Sequence, residues 1–200
     1  IDKKKSSDTY DVYILPSLLP FDYEVEVNLP YGFTVKDTLN PNSYSGTDSI
    51  DIDIDSFPKK EIDKIETQIK NDLTTLYNSA IENKSYEEIK NNFSFEGDLN
   101  EMQEVYEDLK DNISSSFSTT LTNIEYQSSD ITDIEMTSDG LLSLTVRVKY
   151  KYTISYEEDG ETKTKETTDT DSIYLTYGYL DKTYKIVDAS SLSTYFSRYF

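Results

Sequence analysis

Residues 142–156 read Leu-Ser-Leu-Thr-Val-Arg-Val-Lys-Tyr-Lys-Tyr-Thr-Ile-Ser-Tyr, and this run decides the fold. Leu142, Leu144, Val146, Val148, Tyr150, Tyr152, Ile154 and Tyr156 take the even positions, and Ser, Thr, Arg and Lys take the odd ones. Successive side chains of a strand point to opposite faces, so the alternation predicts a long strand with one apolar face. Asp139-Gly140 precedes it and Asp159-Gly160 follows it. Both dipeptides suit the left-handed backbone of tight hairpin turns. The strand before carries Ile124, Tyr126, Ile134 and Met136, with a break near 128–130 that reads as a bulge. The strand after carries Ile173, Leu175, Tyr177 and Tyr179, and Asp181-Lys182 turns it into a last short strand with Tyr184 and Ile186. Connections this short make neighbours pair, giving a four-stranded antiparallel meander.

Upstream, the period changes. Ile62, Ile65, Ile69, Leu73, Leu76 and Ala80 mark one face of a helix over about 59–83, opened by Pro58. Ser85 with Glu88 forms a capping box for a short helix bearing Ile89 and Phe93, which Phe95-Glu96-Gly97 ends. Asp98 with Glu101 opens a third helix, whose face is Met102, Val105, Tyr106, Leu109, Ile113 and Phe117 and which frays at 114–116.

Residues 10–55 read as short strands. Phe21, Tyr23, Val25, Val27 and Leu29 alternate with polar residues, Tyr31, Phe33 and Val35 continue after Pro30, and Ile50, Ile52 and Ile54 alternate with aspartates. The expected fold class is α+β: three helices on a four-stranded antiparallel curled meander, cone-like, preceded by a short all-β segment. The expected domains are 1–56, a short β segment or partial β module, and 57–200, the α+β domain. Few short strands bury little surface, so 1–56 packs on the α+β domain or is part of a larger module.

The composition narrows function. The chain has 18 Tyr and no Cys, His or Trp. Zinc fingers, Cys/His hydrolases, Ser-His-Asp triads and haem attachment are therefore excluded within it. Its formal net charge of -20 opposes nucleic-acid binding, which needs a basic footprint. Residues 1–56 carry 4 basic and 11 acidic groups, 57–113 carry 7 and 14, and 114–200 carry 8 and 14, so no end is a charged arm. No run has the length of a membrane span, so no direct membrane insertion is expected. A start at Ile1 without Met is read as a fragment or mature form, with Lys3-Lys4-Lys5 as a solvated terminus or the remnant of a linker after an anchor.

Three helices followed by a long curled meander resemble the nuclear transport factor 2-like (cystatin-like) fold over roughly 57–190, and Tyr179-Leu180-Asp181-Lys182-Thr183-Tyr184-Lys185-Ile186 is similar to that superfamily's last hairpin. Leu19-Pro20-Phe21-Asp22-Tyr23-Glu24-Val25-Glu26-Val27 resembles the Pro-Gly-x-Tyr-x-Val strand of small β modules that precede such cones in Firmicute surface proteins, with Phe21 where that strand has glycine. The order of β module and cone looks like the extracellular C-terminal region of teicoplanin-resistance-associated (TcaA-like) envelope proteins. The resemblance implies a non-enzymatic extracellular module of a Gram-positive cell-envelope protein, anchored by an upstream membrane segment. Cell-wall glycan or another surface protein are the partners it implies.

The residues support three functional readings. The first is that binding or scaffolding module, without cofactor and without catalytic residues. The second uses an inner pocket lined by Tyr126, Tyr150, Tyr152, Tyr177 and Tyr184 for a small ligand or isomerase-like chemistry, which pairs a carboxylate with tyrosine. It wants an acid on the inner face, where Asp130 and Asp188 have the right parity but lie at a bulge and a strand end. A sheet–helix gap filled with Tyr and Leu side chains tells against it, and a pocket with a buried Asp beside two Tyr hydroxyls tells for it. The third is a calcium-stabilised adhesin-like module using Asp51, Asp53 and Asp55, but Ser56 and Ile62 replace the glycine and glutamate a calcium loop needs. Tyr10, Tyr13, Tyr31, Tyr44, Tyr195 and Tyr199 fall outside the clear core faces and are left as surface-binding candidates. Asn83-Lys84-Ser85, Asn92-Phe93-Ser94 and Asn112-Ile113-Ser114 match the glycosylation pattern, but their helical setting makes them chance matches.

Overall fold

The computed structural model describes residues 2–6, 11–14, 21–29, 31–39, 57–93, 101–114, 119–137 and 140–192. The long alternating run is strand β6 (Leu142–Glu158), flanked by β5 (Thr119–Met136) and β7 (Glu161–Leu180), with β8 (Thr183–Asp188) closing the sheet. The order is β5-β6-β7-β8, all antiparallel. Even residues of β6 from Leu142 to Tyr152 are buried, as the period requires. Glu158 pairs with Glu161 across Asp159-Gly160, and both turn residues have positive φ (56° and 80°). Asp181 and Lys182 do the same between Leu180 and Thr183 (51° and 65°). Two-residue turns of this hand match the strand twist.

Strand β5 bends at three places, where the register against β6 shifts between Leu121 and Asn123, Tyr126 and Ser128, and Ile131 and Asp133. One coincides with the expected bulge. Each extra residue raises local twist, and together they curl the sheet around the helices. Helix α1 (Lys59–Ile81) lies along β5 and reaches β8. Helices α2 (Tyr86–Phe93) and α3 (Met102–Ser114) pack on β8 and on each other. The α1 stripe from Ile65 to Ala80 is buried. Pro58 is the N-cap, and its carbonyl accepts from the Glu61 and Ile62 amides. At α2 the Glu88 carboxylate accepts from both the Ser85 amide and hydroxyl, each at 2.8 Å. Glu101 N–H donates to Val187 C=O at 3.0 Å, and the Tyr106 hydroxyl donates to Lys84 C=O at 2.9 Å, which pins α3 to β8 and to the α1–α2 turn. Phe95–Asp98 and Phe117 lie outside the described residues.

Upstream stand two separate hairpins, β1 (Asp2–Ser6) with β2 (Asp11–Ile14) and β3 (Tyr23–Asn28) with β4 (Thr34–Leu39). The fold class is thus α+β, three helices against a four-stranded antiparallel curled sheet, with short β segments ahead. Residues 31–33 differ from the sequence reading. They do not continue the strand alternation but form the turn, with Gly32 at φ 81° and its amide donating to Leu29 C=O. Leu29 and Tyr31 then join the same buried core as the helices and the four-stranded sheet, with Phe33 packed against it. The strand expected at Ile50–Ile54 lies outside the described residues.

Candidate functional site

The place where chemistry gathers is the interface between α1 and the inner face of the sheet. Asp72 follows Ile69 by three residues and precedes Leu76 by four, so helical geometry puts it on the buried stripe. It is 3% exposed. Its Oδ2 accepts from the Tyr177 hydroxyl at 2.9 Å, and its Oδ1 accepts from Gln68 Nε2 at 2.8 Å. Burial disfavours the charged carboxylate and lifts its pKa from 3.8 to about 7, although the two hydrogen bonds and the charge of Lys185 act the other way. The Tyr177 phenol is pushed well above its ordinary range by burial and by the Asp72 charge.

Eleven residues earlier on the same helix, Glu61 accepts from the Tyr184 hydroxyl at 3.2 Å and from Lys64 at 2.6 Å. Above Tyr184 sits Tyr31. Its ring stacks on Tyr184 with centroids 6.2 Å apart and meets Tyr179 edge-on at 5.6 Å. Its hydroxyl donates to Gly140 C=O. Burial lifts the Tyr31 pKa to about 12. At 2% exposure Tyr31 is a core residue. That corrects the expectation of a surface-binding tyrosine, and the cause is the docked hairpin turn, a tertiary contact that no local period announces.

The five inner tyrosines do not converge on one cavity. Tyr150 is fully buried and its hydroxyl meets that of Tyr77 at 3.0 Å, with the rings at 83°. Burial raises its pKa. Tyr177 turns to Asp72 and Tyr184 to Glu61. The half-buried Tyr126 donates to Ser129 Oγ at 2.6 Å, and Tyr152 hydrogen-bonds the Thr167 side chain. Tyr150, Tyr152, Tyr177 and Tyr184 share one buried cluster with Ile65, Ile69, Leu73, Leu76, Leu144 and Ile173, and Tyr126 packs against it. Among the described residues the sheet–helix interface is thus made of buried Tyr, Leu and Ile side chains.

The acid sought on the inner face therefore comes from the helix rather than from the sheet. Asp130 is exposed, and Asp188 caps the turn after β8 by accepting from Ser190 N–H at 2.8 Å. Asp72 and Glu61 were legible through one signal, an acid on an apolar helical stripe, since Glu61 precedes Ile65 by four.

Asp51, Asp53 and Asp55, as well as Tyr10, Tyr44, Tyr195 and Tyr199, lie outside the described residues, and of the Tyr13 side chain nothing is described. Among the described residues no group of three or more acidic side chains is placed to hold a metal ion, and no helix is long and apolar enough to cross a membrane. Compared with protein-family models and with curated proteins, the chain matches none.

Proposed function

We propose that this chain is a non-catalytic binding or scaffolding module on the outside of a membrane-anchored Gram-positive cell-envelope protein, with the layout of TcaA-like extracellular regions. The observation that carries the non-catalytic part is the filled interior. Each inner tyrosine hydroxyl has a partner within the protein, and Leu and Ile close the space between them. Binding then falls to the exterior, whose net charge of -20 keeps it solvated. The module order supports the envelope setting, and the absence of Cys is compatible with it.

Labelled chain incubated with intact Gram-positive cells, with protease-shaved cells and with isolated sacculi tests this. Retention lost on shaving assigns a surface protein as partner, and retention on sacculi assigns the glycan. No retention on any of them contradicts a binding role. A coding sequence upstream of Ile1 with neither a membrane span nor a signal peptide contradicts the location.

The second reading, an isomerase-like or small-ligand cone, has one specific observation in its favour. Asp72 titrates near neutrality beside a tyrosine hydroxyl, the pairing that proton abstraction next to a carbonyl uses. It needs room for a substrate between them. Saturable one-to-one binding of anilinonaphthalene sulfonate by the native chain supports this reading, and absence of binding contradicts it.

A further inference from the structure

Strand β7 has two very different edges. One pairs with β6 along its length from Glu161 to Tyr177, and β8 covers the other only from Thr176 to Leu180. Among the described residues no strand covers the outer edge over 161–175. Ser191 marks which groups face outward. Its hydroxyl oxygen accepts from Tyr174 N–H at 2.9 Å, and its O–H is 3.1 Å from Tyr174 C=O. In an antiparallel ladder, alternate residues turn their backbone groups to the same side. The amides of Ser172, Thr170, Thr168, Glu166, Thr164 and Thr162 therefore face outward with that of Tyr174. Two of them are occupied locally, Ser172 N–H by Asp171 Oδ1 at 2.9 Å and Thr170 N–H by Asp169 Oδ1 at 2.7 Å. Toward the hairpin, no such bond among the described residues closes Thr164, Glu166 or Thr168. A long uncovered edge is a template for another strand.

The charges along this edge select its occupant. On the inner face the order is Lys163, Lys165, Thr167, Asp169, Asp171, cations on one side of Thr167 and anions on the other. A second β7, related by a two-fold axis through Thr167, sets Lys163 against Asp171 and Lys165 against Asp169, each pair twice by symmetry. The same register sets Glu166 against Thr168 and Thr164 against Thr170, outward-facing residues that then share hydrogen bonds. Shifting the axis to Glu166 opposes Glu166 to itself and Glu161 to Asp171. Shifting it to Lys165 opposes Lys165 to itself. Like charges directly opposite are destabilising.

We propose that the β7 edge is a self-recognition surface, and that two copies of this chain join there into one continuous antiparallel sheet with the two-fold axis at Thr167. Lys163 exchanges its exposed pair with Glu158, and Asp169 and Asp171 release their neighbours' amides to the incoming strand. The net charge of -20 repels copies at long range, but salt screens that repulsion beyond roughly 8 Å, whereas the four Lys–Asp contacts act below it. The contact is therefore of low affinity, and the register with its axis at Thr167 makes four Lys–Asp pairs where an axis at Thr168 makes only two, Lys165 with Asp171 twice. It stands apart from any role on an envelope.

Sedimentation equilibrium of the whole chain at physiological ionic strength, from low micromolar to millimolar concentration, is the test. Reversible dimerisation is expected. Lys163→Glu with Lys165→Glu should weaken it by roughly tenfold or more, and so should Asp169→Lys with Asp171→Lys. Mixing the two variants should restore a dimer of one of each. All four positions are partly or fully solvated, so the fold is kept. In hydrogen exchange, the Thr164, Glu166 and Thr168 amides should be unprotected in dilute chain and protected in concentrated chain. Three results overturn the proposal: a monomer at every concentration, a dimer indifferent to the reversals, or protection of those amides already in the dilute monomer, which means the same chain covers the edge.

Discussion

Helix α1 offers the same chemistry twice, and its two ends handle it differently. At Asp72 a buried carboxylate and a phenol meet at 2.9 Å, and among the described residues no lysine pairs with it directly, although the charge of Lys185 reaches it. At Glu61 the same pair meets at 3.2 Å, but Lys64 stands 2.6 Å from the carboxylate, and a hairpin turn from another part of the chain forms the cover. The deep site is closed by α1 and the sheet, whereas the rim site is closed by Tyr31. A buried carboxylate without a cation is a cost that the rest of the core offsets. The Glu61 carboxylate is also buried, but the half-exposed Lys64 gives its charge a direct partner.

The deep end should give the largest effect. With its pKa lifted from 3.8 to about 7, Asp72 holds a proton in the folded chain that the unfolded chain has released over that range. Stability contributed by this group is therefore fully present below about pH 4 and is lost as pH rises to 7, by on the order of 4 kcal/mol in total. Asp72→Asn should remove that fall. Urea melts should show the variant more stable than the wild type at pH 8 and not at pH 4, and parallel curves at both pH values break the contrast between the two ends.

Next comes the cover. Tyr31→Ala removes a buried ring and should cost about 3 kcal/mol in the same melts. It should also free the β3–β4 hairpin, making Tyr23 and Phe33 the first sites cut in limited chymotryptic digestion while the sheet stays intact. Tyr31→Phe keeps the ring and loses only the hydrogen bond to Gly140, so about 1 kcal/mol is expected. The smallest change belongs to Glu61→Gln, which keeps an acceptor for Tyr184 and loses only the Lys64 pair, so its melts should nearly overlay those of the wild type at pH 8. A loss as large as that of Tyr31→Ala would erase the distinction between rim and interior.

The sheet and helices were legible because their periods are long and uninterrupted. Leu142 to Tyr156 alternate without a fault, and Ile65 to Ala80 keep to one helical face. The site was less legible for two physical reasons. A stripe traced through apolar residues passes over Asp72 and Glu61, although position, and not polarity, puts them on the buried side. Tyr31 and Phe33 keep the alternation of a strand, but Gly32 at positive φ turns the chain and the rings dock against Tyr179, Tyr184 and Phe57. Five inward tyrosines were legible as a set, but whether they line a space or fill it depends on what the helix brings to meet them. Tyr77 and Asp72 supply that.

The closed interior is tested most directly by the carboxyl carbon chemical shift of Asp72, followed by NMR from pH 3 to pH 9. A midpoint near 7 is expected for a carboxylate shut away with Tyr177 and Gln68. A midpoint near 4 means that water reaches the group, and it would contradict a filled core.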